Sequence, residues 1–336
     1  MKKAKKLLSV LLSVAMLATC GVAEVILAEE GANVIYVSDN LGNDANAGTL
    51  SAPLKTIDAA RLKARELSGA VTVEIMDGDY RILSTMILTD DDSNVTYKAF
   101  EGAKPEIKAS VSIPASAAKK VEDSSVLAKM TENAKEDAYV INLADYGITQ
   151  DMIVDPALAN HQYGITGSYE FNNFFVDGNS FSVAQWPNNK DYAQFDRVND
   201  ETSIVYADDY GDKWAGETGW WVGLWIPYDY SYFKFAGVSV DAENNILDYT
   251  DEAISKYSKK SNGQYDYRSK RWKVYNLISE MDVPGEYYID RDNLKLYFYP
   301  TSNFESSKLE LEVMSNKIIE IIDAENITFD GLTFTQ

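Results

Sequence analysis

The chain has 336 residues, a hydrophobic fraction of 46%, an aromatic fraction of 12% and a formal charge of −21. So much apolar material supports a substantial core and excludes a disordered chain, and the length prior gives about two domains. The acidity argues against nucleic acid and anionic membranes as partners. It is compatible with neutral polysaccharide, whereas an acidic one needs a local basic patch or bridging cations.

Residues 1–28 read as a signal peptide: "MKKAKK" is a basic start and "LLSVLLSVAMLA" an apolar stretch too short for a membrane span. Small-residue exits follow at Ala23 and Ala28, so the protein is expected to be secreted or at the cell surface. The only cysteine, Cys20, lies in "LATC", a weak lipobox with Thr19 where a smaller residue is usual. Membrane attachment is expected only if Cys20 is lipidated. Otherwise the mature chain has no thiol, which excludes disulfides, thiolate catalysis and cysteine metal sites in this segment.

A short strand at Val34–Val37 is followed by the turn formers of "DNLGNDANAG". Thr56 then caps a helix over Thr56–Leu67, in which Ile57, Ala60, Ala64 and Leu67 share a face and Gly69 provides the stop. Val71, Val73 and Ile75 alternate as a strand, "DGDY" at 77–80 turns, and strand-like runs recur at Met86–Leu88, Val95–Ala99 and Glu106–Lys108. Short strands separated by turns, with no helix between them, suit a coil in which each rung pairs with the next.

Further on, 121–138 is a polar helical candidate and 258–273, "SKKSNGQYDYRSKRWK", is a second one and a local basic island suited to an anionic sugar. "VPGEYYIDRDNLKLYFYP", 283–300, reads as a self-contained hairpin. Leu309–Val313, Ile318–Ile322 and Ile327–Phe334 are three more strand-like runs, with Gly331 at a bend where the backbone nears its neighbour.

Three motifs in order carry a resemblance. "YVSDNLGNDANAGTLSAPLKTIDAA", "FFVDGNSFSVAQWPN" (174–188) and "PGEYYIDRDNLKLYFYP" resemble segments of secreted right-handed parallel β-helix proteins of the pectate-lyase-like superfamily. In the second, Gln185 stands where that family commonly has arginine. "ITFDGLTF" is similar to the rung that opens the main β-helix there. The resemblance implies a mainly β fold: the start of a right-handed parallel β-helix, with an N-terminal capping helix and an inserted β-rich domain. The expected segments are a signal peptide at 1–28, cap and first rungs at 29–109, the insertion at 110–300 ending in the hairpin, and resumed rungs at 301–336. A coil ending at Gln336 has an uncovered edge, so the reading includes continuation beyond it.

The resemblance also implies an N-terminal part of an extracellular glycan-degrading protein, a glycoside hydrolase, with polysaccharide or oligosaccharide as partner. A polysaccharide lyase and a non-catalytic glycan-binding or adhesive β-helix surface protein are the alternatives. Catalytic carboxylates are then expected beyond residue 336. Within the chain, Asp177 of "VDGN" and Asp290 of "DRDN" suit turns better than catalysis, while Asp330 sits on a rung and could face a groove. His161, the only histidine, lacks any nucleophile pattern around it and leaves zinc sites of paired histidines without a basis.

No cofactor is expected, since neither a Walker loop nor a dinucleotide fingerprint is present. "DNLGNDAN" and "DDDSN" are rich enough in oxygen ligands for calcium to be conceivable, yet lack EF-hand spacing. The tryptophans are more informative. Trp214, Trp220, Trp221 and Trp225 crowd one stretch with tyrosines and acids, and Trp186 lies in "QWPN". Sugar C–H faces pack on such rings while carboxylates accept from hydroxyls, so these five are the candidate substrate contacts; filling a core is the competing use. Adjacent Trp220 and Trp221 face opposite sides of a strand, which puts at most one in the core of a single sheet.

Overall fold

The computed structural model describes residues 33–155, 171–188, 192–207, 210–250, 259–314 and 317–335. Residues 1–28, Cys20 and His161 lie outside them. The fold is mainly β, with several small sheets and one closed antiparallel barrel.

Thr56 accepts from the Ala59 amide at 3.1 Å and caps a helix, α1, over Ile57–Ala64. Burial of Ile57, Ala60 and Ala64 docks it on the strands Asn33–Val37 and Val71–Ile75. The helix ends before Leu67, which is 37% exposed, because no neighbour covers that turn. Asn33–Val37, Val71–Ile75, Val95–Ala99 and Thr328–Asp330 form one parallel sheet in that order. Asp79–Arg81, Glu106–Lys108 and Thr333–Thr335 form a second, and Met86–Leu88 with Ile319–Ile321 a third.

Stretches more than 200 residues apart therefore share three parallel ladders. Parallel register stacks like on like: Ile35, Val73, Tyr97 and Phe329 make one inward row, with the last two rings stacked at 5.3 Å. Burying each such aliphatic side chain stabilises by roughly 1.5–3 kcal/mol. Gly331, at φ +68°, makes the predicted bend, where a Cβ would lie 3.2 Å from that of Ala99.

The chain leaves this unit through Ser110–Pro114 and returns through Lys308–Glu312, and the two pair antiparallel. The Leu309–Val313 run expected to resume the coil instead lies between Ser110–Pro114 and Phe174–Val176. Leu309 and Leu311 point into a core with Ile113, Phe174 and Phe298, and that burial decides the pairing. The predicted hairpin forms as Glu286–Asp290 against Lys295–Tyr299, and joins Tyr139–Asn142 in a five-stranded sheet. The 121–138 candidate splits into two short helices, Ser124–Leu127 and Glu132–Asp137. Only Ala134 within them is buried, so no apolar stripe supports a longer one. Residues 259–270 form no helix; Gly263 turns the chain there at φ +83° and Arg271–Tyr275 is a strand.

Six strands close into an antiparallel barrel: Ala193–Asp200, Ser203–Tyr206, Ile246–Tyr249, Tyr232–Asp241, Trp221–Trp225 and Arg271–Tyr275, the last pairing back to the first. Closure leaves no sheet edge, and register shifts beside Arg197 and Ser239 supply the curvature. Its core is aromatic, built from Phe195, Tyr206, Trp214, Trp220, Phe235 and Trp272 among others. A Cβ on Gly237 would lie 2.1 Å from the Trp220 indole, so only glycine lets that ring cross the backbone.

Charge joins the parallel unit to the insertion. Buried Lys108 lies 2.8 Å from Glu106, 3.4 Å from Asp79 and 3.5 Å from buried Glu310, while Lys308 reaches Asp79 at 2.6 Å. Burial pushes the Asp79 carboxyl up, but Lys308 and Lys108 outweigh it and hold that carboxyl below its usual range.

Candidate functional site

Strands of the barrel alternate inward and outward residues. Val222, Leu224, Phe233, Phe235, Trp272 and Val274 point into the core, so Trp221, Gly223, Trp225, Tyr232, Lys234, Arg271, Lys273 and Tyr275 belong to the outer face. Register places Trp225 opposite Tyr232, and Gly223 between Lys234 and Lys273. Gly223 has no side chain because the Tyr232 and Tyr275 rings fold over it. A Cβ there would lie 2.7 Å from the Tyr232 hydroxyl, and the two hydroxyls hydrogen-bond at 3.1 Å.

Above this floor stands an aromatic strip in which Trp225 is half-buried and Tyr192 and Tyr230 are exposed. Trp225 packs on Tyr232 at 4.3 Å and on Tyr192 at 4.5 Å. The Arg271 guanidinium lies 5.1 Å from the Tyr192 ring and 5.5 Å from Trp225. The Pro227–Ser231 turn extends the strip. Ser231 donates to the Tyr228 carbonyl at 3.0 Å, and Arg268 ties the turn down through the Pro227 carbonyl at 2.7 Å. Tyr228 and Tyr230 then stack in parallel at 5.2 Å, Tyr230 is 70% exposed, and the Arg268 guanidinium sits 5.3 Å from the Tyr228 ring. Rings flanked by guanidinium groups can take the C–H face of a sugar and bond its oxygens. Beneath, Lys273 donates to Gln185 at 2.9 Å.

Of the five tryptophans singled out in the sequence, Trp225 is on this strip. Trp214 and Trp220 are buried in the barrel core, where their indole N–H groups donate to Glu280 Oε1 at 2.5 Å and to the Glu217 carbonyl at 3.1 Å. Trp221 is also buried, on the outer side, under Phe171 at 5.6 Å. Both members of the adjacent pair are covered because the barrel wall is packed on both sides there. Half-buried Trp186 packs on Tyr210, Trp214 and Trp272. Tyr192, Tyr228 and Tyr230 were missed in the sequence, where the alternating tyrosine of "YDYSY" was the available signal; Arg268 and Arg271 fall in the basic island singled out there.

Other candidates have structural uses. Asp177 and Gly178, at φ +50° and +75°, make the predicted turn, and Asp177 accepts from the Lys308 amide at 2.8 Å. Asp290 accepts from the Asn293 amide at 3.0 Å. Asp330 is exposed on an outward row with Tyr36, Glu74 and Lys98, in which Lys98 bonds Glu74 at 2.9 Å. In the two oxygen-rich stretches, Asp44 accepts from the Lys55 and Thr56 amides and Asp92 binds Arg65 at 2.7 Å. Among the described residues no group of three acids, cysteines or histidines is placed to hold a metal ion.

Three buried carboxylates hold the segment under the barrel. Glu217 accepts from the Ile278 amide at 2.8 Å, Glu280 binds Lys213 at 2.7 Å, and Glu286 accepts from the Asp282 and Val283 amides at 3.0 Å each. Desolvation pushes all three carboxyls up, Glu286 to about 8. A cavity of about 1130 Å³ lies between α1 and residues 79–89; its Arg61 and Arg65 are committed to Asp92 and its Arg81 to Ser110 and Ser112.

No family model matches the sequence, and no curated protein matches it. A solved structure described as "Glycoside hydrolase" is similar in fold, with a TM-score of 0.63 and 17% identity over 90% of this chain and 50% of that one. This chain thus spans half the length of the structure it matches. A second, "The complex structure of XylC with xylose", aligns at a TM-score of 0.36 and 14% identity, over 88% of this chain and 34% of that one.

Proposed function

We propose that this chain is the N-terminal part of an extracellular glycan-degrading protein, a glycoside hydrolase built on a right-handed parallel β-helix. In this reading the three parallel sheets are its cap and first rungs, and the barrel is an inserted module that presents the Trp225 strip to polysaccharide. The observation that carries it is the ladder in which Val95–Ala99 pairs parallel with both Val71–Ile75 and Thr328–Asp330, across the whole insertion. The fold likeness to a glycoside hydrolase supports the same reading. The basic and apolar N-terminal residues support export.

Hydrolysis needs two carboxyl groups flanking one bond, and the buried Glu217, Glu280 and Glu286 are committed to backbone amides, lysine and indole instead. The purified chain is therefore expected to bind glycan without cleaving it. Retention on a panel of insoluble polysaccharides tests the first half, with Trp225→Ala expected to reduce it about fivefold, since one stacked ring contributes on the order of 1 kcal/mol. Failure to bind any member would remove the glycan role. Hydrolysis of aryl glycosides that survives purification would instead relocate the catalytic groups into this chain.

A further inference from the structure

At one end of the parallel unit a groove separates the helix from the strands. α1 packs on Asn33–Val37 and Val71–Ile75, and the cavity of about 1130 Å³ stands between it and residues 79–89. Among the described residues, Asp79–Arg81 and Met86–Leu88 each end a sheet and pair on one side only. Met86 donates to the Ile318 carbonyl, and Leu88 accepts from the Ile322 amide. Backbone groups of successive residues in a strand point to opposite edges, so those of Ile87 face away from this ladder, on the cavity side. The side chains of Ile87, 43% exposed, and Leu83, 41% exposed, add an apolar rim. A free edge with apolar surroundings is a template for one more strand.

The chain carries a segment suited to that edge. Of the two small-residue exits, Ala23 leaves "EVILAEEGA", 24–32, on the mature protein, whereas Ala28 leaves only Glu29–Ala32. Val25, Ile26 and Leu27 are apolar, and the first two are β-branched strand formers. The segment also starts in the right place. Asn33 donates to the Ser68 carbonyl at 2.7 Å, just past the end of α1. The tail therefore emerges near Arg65, whose guanidinium reaches the Thr89 hydroxyl at 3.4 Å across the mouth of the cavity. A tail of this length spans up to ~30 Å when extended, and an eight-residue helix such as α1 is only ~12 Å long, so the reach is sufficient. Glu29 and Glu30 pass the exposed Arg65 on the way, a screened contact that sets register more than affinity.

We propose that processing follows Ala23 and that Val25–Leu27 adds as a strand to the free edge of Met86–Leu88, filling the groove beside α1. The proposal rests on the reading of the N-terminal residues as an export leader. With Ile26 level with Ile87, the Ile87 amide and carbonyl gain partners, and Val25 and Leu27 point inward over Met86 and Leu88, beneath α1. The occupant is this chain's own tail because its length, its point of emergence and its acidic residues beside Arg65 all match the groove.

The first measurement is the mass of the mature protein, expressed with its own leader in a secreting bacterial host. A start at Glu24 is expected. A start at Glu29, or a lipid on Cys20, would overturn the proposal alone, whereas an uncut leader would remove the export reading with it. Hydrogen exchange then compares chains 24–336 and 29–336. Peptides covering 82–88 should exchange about tenfold faster in the shorter chain, the scale of one lost hydrogen bond, while those covering 286–299 stay the same. Adding the synthetic peptide EVILAEEGA should restore the protection, which separates a missing strand from misfolding. Equal exchange in the two chains would overturn the proposal. Protection that rises with protein concentration would put a second copy's tail in the groove and overturn the intramolecular contact.

A cross-link fixes the placement. The mature chain has no thiol once Cys20 is removed. Ile26→Cys combined with Ile87→Cys should oxidise to a disulfide, since neighbouring strands bring paired Cα atoms to ~5 Å. Ile26→Cys combined with Leu41→Cys, where Leu41 is 77% exposed on a loop, should stay reduced. Equal oxidation of the two pairs would overturn the placement.

Discussion

In the parallel unit the buried carboxylate Asp92 sits between Arg65 at 2.7 Å and Arg61 at 3.4 Å, whereas around the barrel Glu217 and Glu286 are buried against backbone amides and Glu280 against an indole and the single cation Lys213. Burial pushes the Asp92 carboxyl up, but the bonds from Arg65 and Thr89 outweigh it and hold it below the ordinary range. Around the barrel desolvation wins. The cores differ in the same way. Ile35, Val73, Ile75 and Leu88 stack in rows where parallel register repeats small shapes. The barrel interior is filled by Trp214, Trp220 and Trp272, of which the first two donate their N–H groups to Glu280 and to the Glu217 carbonyl. The parallel unit stacks largely aliphatic rows and pairs its buried carboxylate with arginine. A closed barrel with an aromatic core draws acceptors inward, and these carry raised proton affinities.

The largest expected effect is on the barrel core. Trp214→Ala should cost about 3–5 kcal/mol through the cavity it leaves. All six tryptophans lie between residues 186 and 272, so their fluorescence reports the barrel side alone. The fluorescence transition in urea should move to lower denaturant, while hydrogen exchange of peptides covering 71–99 stays as in the parent chain. Loss of protection in both regions together would show one cooperative unit and break the contrast.

The next effect is on pH dependence, where the two regions should respond with opposite sign. Glu286 is raised from 4.5 to about 8, so the stability it contributes is fully present below about pH 4.5 and is lost as pH rises through about 8. Glu286→Gln should remove this alkaline slope and make the variant the more stable form at pH 9, by roughly 2–4 kcal/mol. Asp92 is lowered, so its contribution is present above the ordinary carboxylate range and is lost as pH falls through its depressed value. Asp92→Asn should therefore weaken the protein at neutral pH, with the difference vanishing in strong acid. Urea titrations across pH measure both; slopes of the same sign would refute the division.

The smallest effect sharpens the boundary. Thr56→Ala removes the cap of α1 and should cost about 1 kcal/mol. It should appear as faster exchange in 57–64 with tryptophan fluorescence unchanged.

Local features were legible in the sequence because their causes are local. The Thr56 cap, the Asp177–Gly178 turn, the 283–300 hairpin and the bend at Gly331 each follow from side chains within a few residues. Leu309–Val313 was misassigned because an alternating apolar run fits a parallel rung and an antiparallel strand equally well. Its partners Ser110–Pro114 and Phe174–Val176 lie far away in sequence. Among the tryptophans the sequence marked a sugar-binding composition but not which rings stay accessible. Trp225 ends a wall strand on its outer face, whereas Trp220 just before that strand points inward and Trp214 enters the core from a short helix over Gly211–Trp214.

By itself, then, the amino-acid order determined the mainly β character, the short strands and turns, the capped helix and the concentration of aromatic residues in the insertion, because periodicity and turn chemistry act over a few residues. Tertiary structure alone decided that the barrel closes, that Lys308–Glu312 returns beside Ser110–Pro114, and that Arg271 stands over Tyr192 and Trp225. Those outcomes depend on which distant faces bury each other, and burial is a property of the assembled chain.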